Sequence, residues 1–466
     1  MAATSTPTEL AFAGAARQAQ LVATGEASAR EVVEATLERI ADQQPRLNAF
    51  RVVLAEQALA QADALDARRG RGEDLGVLAG VPVAIKDDVD VAGEATAWGT
   101  AAHAGPVAQD AEVVRRLRAA GAVIVGKTLV PEMTMNPATD TVTFGSARNP
   151  WDVSRTPGGS SGGSGAAAAA GLCGVALGSD GAGSIRGPAC WNGLVGVKPQ
   201  RDRVPLGPHH DAWQGMSVNG PLARTTVDAA LFLDATTDEG GFAGAARAAA
   251  PGRLRIAVST KQPPGSMAKL GREERDAVQG TAQLLRDLGH DVVERDPDYP
   301  SALWGAAYTR VLRGIADDVA VAMPHAERLE PRTRHIAALG RALPGAAVRW
   351  ARGAEADLSR RVLSLFDEGF DALLTPGCAE GPYRAGEFTQ HGTAWWVMFA
   401  AKRIPYFAAF NLTGTPAVAV PAGFDDDGLP VGVQLAGRPR DEATLLGLTA
   451  QLEQARPWAG RRPPEA

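Results

Sequence analysis

Between Arg155 and Ala189 the chain reads RTPGGSSGGSGAAAAAGLCGVALGSDGAGSIRGPA, with eleven glycines and five serines in one short span. Glycine at this density often marks a flexible linker, but linkers do not carry alternating helix and strand patterns. Here an alanine-rich run starts just after Ser160 and Ser161, and the apolar run Leu172 to Leu177 follows it. The stretch therefore reads as a loop, a helix, a strand and then a sharp turn of small residues. Ser160 and Ser161 fall near the N-terminal end of the helix, where free N–H groups and the helix dipole are positive. Ser184 falls at the C-terminal end of a strand, where α/β sheets commonly carry their active sites. The N–H groups of Gly181, Ala182, Gly183 and Ser184 lie along a turn almost free of side-chain bulk, which suits an oxyanion hole.

The flanks supply the rest of an α/β fold. Residues 9–70 read as helical, with SAREVVEATLERIADQQ starting at a Ser28 cap. GVLAGVPVAIKDDVDV reads as a strand that ends at Lys86, and DAEVVRRLRAAGAVIVGKT as a helix, a glycine stop and a strand. GTPAVAVPAG and GLPVGVQLAG supply two late strands, and DEATLLGLTAQLEQA a closing helix. Strands alternating with helices predict a sheet covered on both faces. The expected organisation is one large domain over residues 1–466, with an N-terminal helical segment over about 1–75 and a charge-rich helical cover without strands over about 265–370.

Several function classes lose support at this level. The formal net charge of −6 argues against a generic nucleic-acid surface. The first twenty residues lack the basic and apolar regions of a signal peptide, and Ala166 to Leu177 is too short and glycine-broken to span a membrane. Three cysteines, Cys173, Cys190 and Cys378, sit in apolar contexts without metal-like spacing, as buried thiols of a cytoplasmic protein would. The seven histidines show no H-x-x-x-H pair, so no metal site is expected.

Two motifs are traps. GAVIVGKT, Gly121 to Thr128, matches a phosphate-loop pattern, but Ala-Val-Ile-Val between its glycines favours a buried strand over a curled anion cradle. Lys127 therefore reads as structural. GGSSG, Gly158 to Gly162, matches a nucleophile elbow, but a polar, proline-bounded loop precedes it where a strand is required.

A serine nucleophile needs a base, and a lysine serves if burial keeps its amine neutral. Lys86 ends an apolar strand, as that role demands. From position alone, a salt bridge to Asp87 or Asp88 is the preferred reading.

GGSSGGSGAAAAAGLCGVALGSDGAGSIRGPACWNGLVGVKP resembles the signature of the amidase signature family. The resemblance continues through GVPVAIKDDVDV, FGSARNPWD, NLTGTPAVAVPAG and GLPVGVQLAG, and so covers nearly the whole chain. It implies a twisted mixed sheet of about eleven strands between helical layers. It also implies a Ser–cis-Ser–Lys triad, with Ser184 as nucleophile, Ser160 as the cis-serine and Lys86 as base. Ser161, Ser179, Asp180 and Arg186 match supporting positions. No metal or organic cofactor is implied. The expected activity is hydrolysis of a small-molecule amide through an acyl-enzyme, without nucleic acid or membrane; a homodimer is compatible with it. The alternative is the glutaminase subunit of a tRNA-dependent amidotransferase, although KPQRDRVPLGPHHDAW replaces the segment expected there.

Two positions depart from the family pattern. Ala182 stands where a glycine is usual and keeps its N–H, so the hole survives if its φ is negative. Gly187 stands where an apolar side chain is common, which loosens local packing. Trp395, Trp396, Met398, Phe399, Tyr406 and Phe407 read as a core cluster, with an apolar substrate wall as the other reading.

Overall fold

The computed structural model describes residues 6–464, apart from the side chain of Phe399. Its strands, in chain order, are β1 (Phe50–Val53), β2 (Pro82–Lys86), β3 (Val123–Thr128), β4 (Asp140–Thr141), β5 (Gly145–Ser146), β6 (Val175–Asp180) and β7 (Val195–Lys198). They continue with β8 (Val218–Ala223), β9 (Arg255–Val258), β10 (Asp291–Glu294), β11 (Ala372–Pro376), β12 (Ala417–Phe424) and β13 (Pro430–Gly437). Strands β4 and β5 form a small separate ribbon. The other eleven form one sheet in the order β1-β3-β2-β6-β8-β7-β12-β13-β11-β9-β10. The sheet is mixed: β2 runs parallel to β3 and β6, while β8, β7, β12 and β13 join antiparallel.

Side chains alternate across a strand, so a sheet with two apolar faces needs two covering layers. Ala84, Val125 and Ala176 enter one core, with residues of the helices Gly162–Ala169, Arg186–Asn192 and Leu303–Ala322. Their strand neighbours Val83, Ile85, Ile124, Val175 and Leu177 enter the other, with the helices Thr226–Thr236, Arg272–Asp287 and Glu442–Ala455. The single α/β domain expected from the sequence is what the chain forms.

Two strands fall inside spans that were read as helical. β1 interrupts the span 9–70, and β10 lies inside the span 265–370 that was expected to hold none. Both have four residues and lie at the two edges of the sheet. Strands this short, and mostly half-buried, carry too little alternation to stand out from helical flanks. The phosphate-loop look-alike is the buried strand β3.

Candidate active site

The glycine- and serine-rich stretch folds as loop, helix Gly162–Ala169, strand β6, turn and helix Arg186–Asn192. Its five serines divide the work. Ser164 Oγ donates to Leu177 O at 2.9 Å and bonds Thr128 Oγ1 at 2.7 Å, tying its helix to β6 and β3. Ser161 Oγ donates to Ser179 O at 3.2 Å and accepts from Ser179 N at 3.3 Å, fixing the loop to the end of β6. That approach is close enough that a Cβ on Gly178 would come within 2.9 Å of Ser161 Oγ. Ser160, Ser179 and Ser184 are left for chemistry.

Lys86 occupies the same parity of β2 as Ala84, on the face that carries the serine helix. It is fully buried. Its Nζ lies 2.7 Å from Ser160 Oγ, 2.7 Å from Ser179 Oγ and 3.3 Å from Asp88 Oδ2. Burial pushes the Lys86 amine below its usual 10.5, against the opposing charges of Asp88 and Asp180. Of the two carboxylates considered for a salt bridge, Asp87 pairs instead with Lys127 at 2.9 Å and Arg51 at 2.5 Å. Asp88 is farther from the amine than either hydroxyl. The Gly159–Ser160 peptide is cis.

The turn after β6 is held from below by one buried ion pair. Asp180 accepts from Arg186 Nε and Nη2, both at 2.9 Å, and neither side chain is exposed. It also accepts from the N–H groups of Gly183 at 2.7 Å and Ile185 at 3.2 Å. Burial raises the Asp180 carboxyl, but Arg186 more than offsets this and holds it far below the usual carboxylate range. Arg186 reaches Gln434 Oε1 and Asn411 Oδ1, each at 2.6 Å, and Asn411 Nδ2 returns a bond to Asp180 O at 2.7 Å. Gly183 has φ +120°, and a Cβ there would lie 2.4 Å from Phe407. Only glycine fits both constraints. The Gly183 N–H, expected among four oxyanion donors, is thus committed to Asp180; those of Gly181, Ala182 and Ser184 are not. Ala182 is not among the described residues with positive φ, so its N–H keeps an ordinary backbone geometry.

Ser184 is half-buried and lines an open cleft of about 670 Å³. Ala182, Trp213, Trp304, Tyr308 and Trp396 share the cleft wall, and among the described residues no charged one does. Of the aromatic segment proposed from the sequence, Trp396 alone has a described side chain on that wall. Trp395 stacks on His391 at 4.1 Å, and Tyr406 and Phe407 are buried in the core. Met398 is exposed, and the side chain of Phe399 lies outside the described residues. The sequence reading missed Trp213, Trp304 and Tyr308, which come from distant segments. It also missed Asn411 and Gln434, and it read Asp88 only as a salt-bridge partner of Lys86, from which it lies 3.3 Å. A polar residue in the apolar run VGVQLAG was the available signal for Gln434.

Among the described residues no cluster of His, Cys, Asp and Glu could hold a metal ion, and no helix is long and apolar enough to cross a membrane. All three cysteines are free and buried.

Comparison with known proteins agrees with this fold. AmiB2 of Mycobacterium tuberculosis, a protein that carries an amidase name, is 55% identical over 98% of this chain and 99% of its own. The structure of 6-aminohexanoate cyclic dimer hydrolase superposes with a TM-score of 0.89 at 30% identity, covering 97% of this chain and 99% of that one. The peptide amidase of Stenotrophomonas maltophilia superposes with a TM-score of 0.82 at 27% identity, covering 97% of this chain and 98% of that one. The Amidase family model matches residues 31–446. With the lysine–serine site at the end of its mixed sheet, the chain belongs to the amidase signature family and is an amidase.

Proposed function

We propose that this amidase hydrolyses uncharged carboxylic amides through a seryl acyl-enzyme, with Ser184 as nucleophile, Ser160 as proton relay and Lys86 as base. The observation that carries the reading is the fully buried Lys86 amine, 2.7 Å from Ser160 Oγ, beside a cleft that Ser184 lines. A lysine that burial keeps neutral accepts a proton, and a serine between two groups both gives and takes one. Lys86 takes the Ser160 proton while Ser160 takes that of Ser184, and Ser184 Oγ bonds to the carbonyl carbon. The N–H groups of Gly181, Ala182 and Ser184 face the oxyanion; each donor of this kind contributes about 10²–10³ in rate. Collapse breaks the C–N bond, and the amine leaves with the proton returned through Ser160. Water then repeats the cycle on the acyl-enzyme, releasing the acid and restoring Ser184.

The cleft sets the scope. Among the described residues its wall has no charge to meet the ammonium and carboxylate of free glutamine, which would be left undersolvated. Asn136 Nδ2 and Trp304 Nε1, two donors from residues of the wall, are buried without partners among the described residues. An aryl or aliphatic acyl group fits the wall, and a second uncharged carbonyl on it would satisfy those donors. The cyclic dimer and the peptides named for the two structural neighbours are likewise amides.

The test uses purified protein with a chelator and no partner subunit. Steady-state rates are compared for glutamine, an aryl amide and a fatty primary amide, with Ser184→Ala as the control. Turnover of the aryl or fatty amide, lost in a Ser184→Ala variant of unchanged melting temperature, is expected. Preference for glutamine, silence without a partner, or near-normal turnover by the variant would overturn the reading.

A further inference from the structure

Asp88 stands outside the triad and is 94% buried by side chain. Its Oδ2 accepts from Ser179 Oγ at 2.5 Å, and Ser179 Oγ lies 2.7 Å from Lys86 Nζ. Its Oδ1 has no partner among the described residues. Asp88 and Ser179 border a second cavity of about 470 Å³, which Thr134 and Trp213 separate from the substrate cleft.

We propose that Asp88 is a positioning residue, which acts through the Ser179 hydroxyl to turn the lone pair of Lys86 toward Ser160. The inference rests on Lys86 being the base. A serine hydroxyl has one hydrogen, and a carboxylate has none to give. At 2.5 Å the Ser179 hydrogen therefore belongs to Asp88, and Ser179 Oγ accepts from Lys86. A neutral amine has two hydrogens and one lone pair. One hydrogen goes to Ser179 Oγ, and the remaining acceptors are Ser179 O and Asp88 Oδ2, both at 3.3 Å. The lone pair is left to face Ser160, whose hydroxyl then donates to it. That polarity lets the proton run from serine to lysine. Were Ser179 to donate to Lys86 instead, the lone pair would be occupied and the relay would point the wrong way.

Asp88 acts on the amine in a second way, because its charge favours the ammonium form. The other charged groups nearby are Asp180 on β6 and, around the second cavity, Asp90 with His209 at 3.9 Å and Asp318. Burial, with the charges of Asp317 and Asp88, pushes the Asp318 carboxyl up to about 7. Asp318→Asn is therefore profiled alongside, so that its titration is not read as that of the lysine.

The experiment is the pH profile of kcat/KM for the full-length enzyme, with Asp88→Leu, Asp88→Asn, Ser179→Ala, the Asp88→Leu/Ser179→Ala double variant and Lys86→Met. Asp88→Leu removes the acceptor and is expected to lower the alkaline plateau about 10- to 100-fold, a positioned base being worth at least that much. Asp88→Asn, the milder change should the first fail to fold, moves the rising limb to lower pH because the anion that held the proton is gone. Ser179→Ala lowers the plateau and leaves the limb in place. The double variant loses no more than about threefold beyond Ser179→Ala, since the same link is already cut. Losses that multiply, or an unmoved limb in Asp88→Asn, overturn the proposal while an inactive Lys86→Met keeps the base. An active Lys86→Met overturns both.

Discussion

Lys86 ends β2 and Lys127 is the penultimate residue of the neighbouring parallel strand β3, one residue apart in register, and both are fully buried. Burial pushes both amines below 10.5. Their partners differ. Lys127 Nζ meets Asp87 Oδ1, Ala95 O and Thr96 Oγ1, each at 2.9 Å, and Arg51 holds the far side of Asp87. Three acceptors, one of them a paired carboxylate, satisfy an ammonium and brace the strand ends. Lys86 meets two hydroxyls at 2.7 Å, which accept or donate as required, with the Asp88 carboxylate farther off at 3.3 Å, and it stands next to the substrate cleft. Burial alone does not make a base; partners that can exchange a proton do.

The largest expected contrast is between two substitutions. Lys86→Met should lower kcat/KM for an aryl amide by about 10³-fold or more, within the range for a lost general base, with little change in melting. Lys127→Met should keep the specific activity of the folded enzyme within about tenfold. It leaves Asp87 to Arg51 alone, and breaking a buried pair costs about 3–5 kcal/mol, so its melting temperature should fall by several degrees. Equal activity losses from the two would erase the distinction.

Linkage gives the next effect. A lysine whose amine is pushed down in the folded chain binds fewer protons, between that lowered value and 10.5, than the same lysine in the unfolded chain. Stability should therefore rise with pH from the depressed value up to about 10.5 and be lost as pH falls through that window, by at most about 1.4 kcal/mol per pH unit for each lysine. Denaturant titrations across pH should show a shallower slope in Lys86→Met. The rising limb of activity should disappear only there, and its persistence would remove Lys86 from the proton path.

How much of this the sequence shows follows from where the partners lie along the chain. Ser160, Ser161, Ser179, Asp180, Ser184 and Arg186 fall within one motif, and local spacing brings them together. The tether on Arg186 comes from Asn411 and Gln434, more than two hundred residues away, and nothing near the motif announces it. The cleft wall is hidden for the same reason. Trp304 and Tyr308 lie on one long helix of the span read simply as a cover, and Trp213 follows a loop that the sequence marked only as unusual. The central α/β alternation was readable because β2, β3 and β6 are continuous apolar runs, whereas the four-residue edge strands β1 and β10 were not.

The smallest expected effects touch neither lysine. A Cβ on Gly187 would meet Phe407 at 3.7 Å and Ile404 at 3.9 Å, which is ordinary contact. Gly187→Ala should therefore fold normally and stiffen the backing of the cleft. Ala182→Gly removes a methyl group from the cleft wall. Each should change KM for a bulky aryl amide by less than about tenfold, on the scale of one methyl group in an apolar pocket, with kcat nearly constant. A large loss of kcat in Ala182→Gly would mean that the methyl also holds the oxyanion turn.

The identity of the nucleophile and its base is tested most directly by labelling with a fluorophosphonate, followed by peptide mapping. The account predicts a single adduct on Ser184, absent in Ser184→Ala, formed at least about 10²-fold more slowly in Lys86→Met and at near-normal rate in Lys127→Met. An adduct on Ser160 or Ser161, or labelling of Lys86→Met as fast as the unaltered enzyme, would contradict it.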